Sequence, residues 1–166
     1  MSARATVLYP LGLVDRLAGV TIIATMAAMV GVVSLQVLLR YAFNTSIDWA
    51  EDVSRLLFVW SIFLAVPLGV KQGSHIAIEL VTLNLPPSAR IFFVRLMAIG
   101  CVGLMAVICY QGVLLTVQQW DEFMPTLNVT AALFMLPVAI GAAHSALHFA
   151  VLAVSGVPPA VVVVAE

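Results

Sequence analysis

The feature that most constrains this chain is the run from Leu17 to Leu39, 23 residues without a charged side chain. A helix of that length reaches about 35 Å, enough to cross a hydrocarbon layer about 30 Å thick. It is too long for the apolar core of a cleavable signal, which is roughly 7–15 residues. The run therefore reads as a retained membrane span, and the rest of the sequence repeats the pattern. Only 9% of the 166 residues are charged, where soluble domains carry about 25%. Such a composition excludes a soluble enzyme, and a net charge of −1 gives no reason to expect nucleic acid as a partner.

With the charges used as boundaries, four spans follow within a single membrane domain covering 1–166. The expected fold is an all-α integral membrane bundle of four transmembrane helices. The first span lies between Arg16 and Arg40, at about 17–39. The apolar stretch of the second, Leu56 to Val70, is only 15 residues, so its helix must borrow length from both flanks, giving about 50–72. The third is expected at about 90–119 and the fourth at about 129–154, ahead of the breaker Ser155–Pro159. Between spans two and three, Ile76, Leu80 and Leu83 share one helical face while His75, Glu79 and Thr82 share another. That spacing suggests a short amphipathic helix at about 75–84, lying in the interface and ended by Pro86–Pro87. Lysine and arginine favour both termini in the cytoplasm. Arg4, Arg16, Lys71, Arg90 and Arg95 then lie inside, against Arg40 and Arg55 outside.

The polar residues are informative mainly by their placement. The apolar cores of these four spans hold no Asp, Glu, Lys or Arg. Ion-coupled carriers need an ionisable group at depth to bind and release the ion, so this chain alone is not expected to be the pump. The densest charge cluster is Asp48, Glu51, Asp52 and Arg55 at the entrance to span two. Asp48 and Glu51 have the spacing of a capping box at the positive end of a helix dipole. Arg55 can pair with Glu51 at i+4 or Asp52 at i+3, and Trp49 has the amphipathic ring favoured at an interface. Local structure accounts for every charge, so the cluster reads as a structural lip or partner contact rather than a transported-ion site. His144 and His148 are one turn apart on span four. A haem would want a histidine facing them, and His75 is expected beyond the end of span two. The pair reads as interhelical hydrogen-bond formers or interfacial groups. Cys101 and Cys109, eight residues apart, read as small hydrophobes. No metal, cofactor or catalytic group is expected.

From Arg40 onward the motifs fall in a recognisable order: Arg40-Tyr41, then Trp49-x-Glu51-Asp52 with Arg55, then Gly73-x-His75-Ile76, then Leu85-Pro86 with Arg90. This run resembles the small membrane subunit of tripartite ATP-independent periplasmic (TRAP) transporters, the DctQ-like component. Asp52 stands where that pattern has a second glutamate. The resemblance implies an accessory scaffold in the bacterial or archaeal inner membrane, fixed in the lipid bilayer beside a large TRAP membrane subunit. Sodium sites, substrate site and moving parts are expected in that partner, and a periplasmic substrate-binding protein delivers a small organic acid. The lack of a long C-terminal extension suggests that the partner is a separate polypeptide. On this reading Arg40, Tyr41, Trp49, Glu51, Asp52 and Arg55 form the periplasmic lip. Gly73, His75, Glu79 and Arg90 do similar work at the cytoplasmic face. Two other classes were weighed: a self-contained homodimeric exporter, which would need a membrane-embedded carboxylate, and a haem or quinone redox protein.

Overall fold

The computed structural model describes residues 2–71 and 86–155. Among them every regular element is an α-helix: α1 Ser2–Phe43, α2 Ala50–Lys71, α3 Pro87–Gln118 and α4 Ala132–Ser155. All four include stretches long and apolar enough to cross a membrane, namely Leu11–Phe43, Ala50–Lys71, Ala89–Gln118 and Ala132–Val154. The amphipathic helix expected at 75–84, with Gly73, His75 and Glu79, lies outside the described residues.

α1 is longer than its uncharged run. Its 42 residues make a helix of about 63 Å, and it continues unbroken through Asp15 and Arg16. The sequence reading placed those two residues before the span; in the structure they lie inside the helix. The more sheltered positions of α1 include Leu11, Asp15, Ala18, Ile22, Thr25, Met29, Val32, Gln36 and Leu39. These steps of four and three residues form the seam of a left-handed helix pair, here made with α2. Asp15 is therefore a seam residue, turned inward. Midway along the seam, the hydroxyls of Thr25 and Ser61 meet at 2.8 Å. Each hydroxyl also has a carbonyl of its own helix within reach, Thr21 O at 2.8 Å from Thr25 and Leu57 O at 2.8 Å from Ser61, so one donates across the seam while the other donates back.

The helices pack in the order α1–α2–α4–α3, with α1 and α3 at the edges. No Cα of α1 comes within 8 Å of one in α4. α4 is the most enclosed helix. The edges show their side chains outward, among them Leu17, Val20, Ile23 and Val30 on α1 and Ile99, Leu104 and Val107 on α3. A contiguous apolar surface of this size would aggregate in water and is ordinary against lipid or a membrane partner.

The α2–α4 contact is built around two prolines, Pro67 and Pro137, both fully buried. A proline has no N–H, so each leaves the carbonyl four residues earlier without its helical donor. For Pro137 that carbonyl is Leu133, and the indole Nε1 of Trp60 on α2 donates to it at 3.1 Å. For Pro67 it is Phe63, and Gly141 of α4 lies against this oxygen so closely that a Cβ on Gly141 would collide with it. Trp60 thus satisfies the carbonyl that Pro137 freed, one way kinked helices are tolerated in a membrane, while α4 packs directly against the one freed by Pro67. Trp60 lies ten residues into α2, whereas Leu133 is the second residue of α4. The backbones touch where Phe63, thirteen residues past the start of α2, meets Gly141, nine past the start of α4, so α4 starts roughly 6 Å deeper than α2.

The loop from 119 to 131 fills the space above that recessed start. Thr130 Oγ donates to Trp120 O at 2.8 Å and accepts from Ala132 N at 3.2 Å, capping α4. Met124 N donates to Val129 O at 2.9 Å, and Ala131 N to Glu122 O at 2.7 Å. Asn128, with φ of 51°, makes the reversal that these bonds require; asparagine tolerates this left-handed conformation.

Candidate functional site

Polar side chains collect at two ends of the α2 column. The first is the expected lip at its N-terminus. Asp52 shares its two carboxylate oxygens between two elements. Oδ1 accepts from Arg55 Nη2 at 3.0 Å, one turn along α2. Oδ2 accepts from the hydroxyl of Thr126 in the loop above α4. The guanidinium carbon of Arg55 also stands 5.1 Å from the ring centre of Phe134, within cation–π reach. Asp52 and Arg55 thereby fasten the start of α2 to the loop and first turn of α4.

The remaining lip residues are not so engaged. Arg55 pairs with Asp52 rather than Glu51, and among the described residues the side chains of Asp48 and Glu51 form no hydrogen bond or ion pair. The capping box suggested by their spacing does not form. α2 starts with backbone bonds instead, Ala50 N to Ile47 O and Val53 N to Trp49 O. Arg40, Tyr41, Trp49 and Glu51 are all exposed, with 84% of Tyr41 uncovered. Arg90, half-buried in the first turn of α3, donates its backbone N–H to Pro86 O at 3.0 Å.

The second collection was not anticipated. At the C-terminal end of α2, the carboxylate of Asp15 is buried beneath three partners from two other helices. Lys71 Nζ donates to Oδ2 at 2.7 Å. His144 Nε2 and His148 Nε2 each lie 2.9 Å from Oδ1. The two imidazole nitrogens are 3.2 Å apart, and the rings tilt at 40° with centres 4.9 Å apart. Asp15 and His144 are each only 6% exposed, while Lys71 remains half exposed and reaches the surface. The pairing joins α1, α2 and α4 through one carboxylate, across a gap where the backbones of α1 and α4 stay apart.

The residue types of this cluster were each visible in the sequence. Of the two roles expected for His144 and His148, interhelical hydrogen bonding or an interfacial position, the structure shows the first. Asp15 was missed because the first span was taken to begin after Arg16. The available signal was periodicity: Asp15 is in phase with Leu11, Ala18, Ile22 and Thr25, so continuing that stripe upstream puts its carboxylate on the packed face.

Comparison with known proteins now places the chain. Residues 29–158 match the family of tripartite ATP-independent periplasmic transporters, DctQ component. The chain belongs to this family. It is 32% identical over 118 residues to a TRAP transporter small permease protein of Haemophilus influenzae, covering 69% of this chain and 67% of that protein. It is 28% identical over 107 residues to the C4-dicarboxylate TRAP transporter small permease protein DctQ of Vibrio cholerae, covering 64% and 43%. A third similarity has a different proportion. The Haemophilus influenzae sialic acid TRAP transporter permease protein SiaT is 31% identical over 80 residues, which is 46% of this chain but 13% of that protein. With four spanning helices and these relatives, the DctQ-family chain is a multi-pass protein of the inner membrane.

Proposed function

We propose that this small permease subunit is a static scaffold for a large TRAP membrane subunit, and that the large subunit carries the sodium sites and moves the substrate. Membership of the DctQ family carries the reading. The form of the molecule supports it. Its charged lip groups fasten α2 to the loop above α4 or stand exposed at the end. α1 and α3 present long apolar edges suited to a membrane partner. The SiaT similarity, in which a segment like this chain makes up a small part of a much longer permease, agrees with a large partner working at close quarters. C4-dicarboxylate, sialic acid and isethionate appear in the relatives' names, and all are small organic acids or their anions. A compound of that class, delivered by a periplasmic binding protein, is the expected cargo of the assembled transporter.

On this reading both termini are cytoplasmic, the lip faces the periplasm, and the chain is not an enzyme. The exposed row Arg40, Tyr41, Trp49 and Glu51 is the surface offered to the large subunit or the binding protein. Gentle-detergent purification of the tagged chain from native membranes, followed by mass spectrometry, tests the proposal. A stoichiometric, much larger polytopic protein is expected. A chain that purifies alone as a stable homodimer would overturn it and favour a self-contained exporter.

A further inference from the structure

We propose that Asp15, His144 and His148 form a binding site for a transition-metal dication of the zinc class, which staples α1 to α4 at the C-terminal end of α2. Such a site is independent of the scaffold role.

The geometry comes first. Three potential ligand atoms, one carboxylate oxygen and two imidazole nitrogens, lie within 4.8 Å of one another. Their mutual distances are 2.9, 2.9 and 3.2 Å. A triangle with those edges has a circumradius of about 1.7 Å, shorter than the zinc–nitrogen and zinc–oxygen distances of about 2.0–2.2 Å. An ion bonded equally to all three would therefore sit about 1.1 Å above their plane. In an ideal tetrahedral site two such ligands stand about 3.3 Å apart, so the triangle needs to open by only a few tenths of an ångström. The histidines have the i, i+4 spacing that puts two imidazoles on one helical face toward a common ion. Asp15 supplies the third ligand from a different helix, leaving a fourth position for water or a small anion.

Proton bookkeeping also favours an ion. Three electron-rich atoms converge, and at most two N–H groups can stand between them. If both Nε2 atoms are protonated, both donate to one oxygen and their hydrogens crowd each other across 3.2 Å. If either is unprotonated, its lone pair faces the carboxylate. A shared dication is attracted along all three directions at once.

The donor set selects the ion. Two imidazoles and one carboxylate suit zinc, cobalt or nickel, whereas sodium, magnesium and calcium prefer all-oxygen shells. This separates the site from the sodium expected in the partner subunit. Lys71 bonds the other carboxylate oxygen and fixes its orientation, as outer partners of metal ligands do. Lys71 is half exposed, so its side of the cluster gives the ion a path in.

The test uses the full-length chain carrying a non-histidine tag, together with any partner subunits that purify with it. After exposure to zinc and removal of free ion, the wild type should retain close to one zinc per chain. Asp15→Asn and His148→Gln should each weaken retention at least tenfold. X-ray absorption on zinc-loaded wild type gives a second readout that does not depend on the variants folding. The expected first shell contains two imidazole nitrogens at about 2.0 Å. No zinc in the wild type, equal zinc in wild type and variants, or a shell of oxygen or sulfur without imidazole would each overturn the proposal.

Discussion

The two ends of α2 use similar chemistry in opposite ways. At the lip, an aspartate and an arginine three residues apart pair on the surface, with Arg55 63% exposed. At the other end an aspartate 6% exposed gathers a lysine and two histidines that are 56, 129 and 133 residues away. The first arrangement is screened by water and headgroups, and exposed pairs of that kind contribute about 0.2–1 kcal/mol. The second is shielded, and stripping one partner from a buried ionic group costs about 3–5 kcal/mol, because the remaining charge is left without compensation. The lip therefore orients the start of α2 and offers a surface. The Asp15 cluster joins helices that would otherwise not touch.

If that contrast is right, Asp15→Ala has the largest effect of any single change considered. It removes the acceptor shared by Lys71, His144 and His148, and because Lys71 is half exposed and can turn to water the loss should be about 2–3 kcal/mol, read as a drop in thermal midpoint and in folded yield from membranes. A loss below 1 kcal/mol would put the two ends on an equal footing. Next comes Gly141→Ala, which drives a methyl into the Phe63 carbonyl. Separating α2 from α4 should cost about 1–3 kcal/mol. Trp60→Phe keeps the ring but withdraws the donor from Leu133 O. A loss of about 1 kcal/mol is expected, seen as a modest shift in the same melting assay. Smallest in stability is Arg55→Ala, at less than 1 kcal/mol. Its signature is in assembly: recovery of the complex with the large subunit should fall further than for Arg4→Ala. Equal recovery of the two variants would remove the structural role assigned to the lip. A double-mutant cycle sharpens the comparison directly. Coupling between Asp15 and His144 should exceed 1 kcal/mol, and coupling between Asp52 and Arg55 should stay near 0.5 kcal/mol or below.

The lip was legible because its contacts are near in sequence. The i+3 spacing of Asp52 and Arg55 is enough to predict their pairing, although the same spacing rules also suggested a Glu51 contact and an Asp48 cap that do not form. What chose between Glu51 and Asp52 was Thr126, whose hydroxyl holds the second oxygen of Asp52 from a loop 74 residues away. The presence of Pro67 and Pro137, and so of two kinks, is visible in the sequence. Their pairing is not, since it depends on α4 starting deeper than α2 so that Trp60 reaches Leu133 and Gly141 reaches Phe63. On α4 the sequence offers small residues at Ala139, Ala142 and Ala143, yet the position that admits no side chain at all is Gly141.

By itself the sequence determined that the chain crosses a membrane on four apolar helices, that its charges avoid the apolar cores of its spans, and that its motifs are those of the DctQ family. These follow from composition, run length and near-neighbour spacing, which a single helix satisfies without reference to any other. Only the tertiary structure decided that the backbone of α1 packs against α2 and not α4, that Trp60 answers the carbonyl freed by Pro137, and that Asp15 turns inward to Lys71, His144 and His148. Those outcomes depend on how each helix is rotated about its axis and how far it slides along its neighbour. In a chain this uniformly apolar, hydrophobicity constrains rotation and depth weakly, so a few polar groups and close glycine contacts set both.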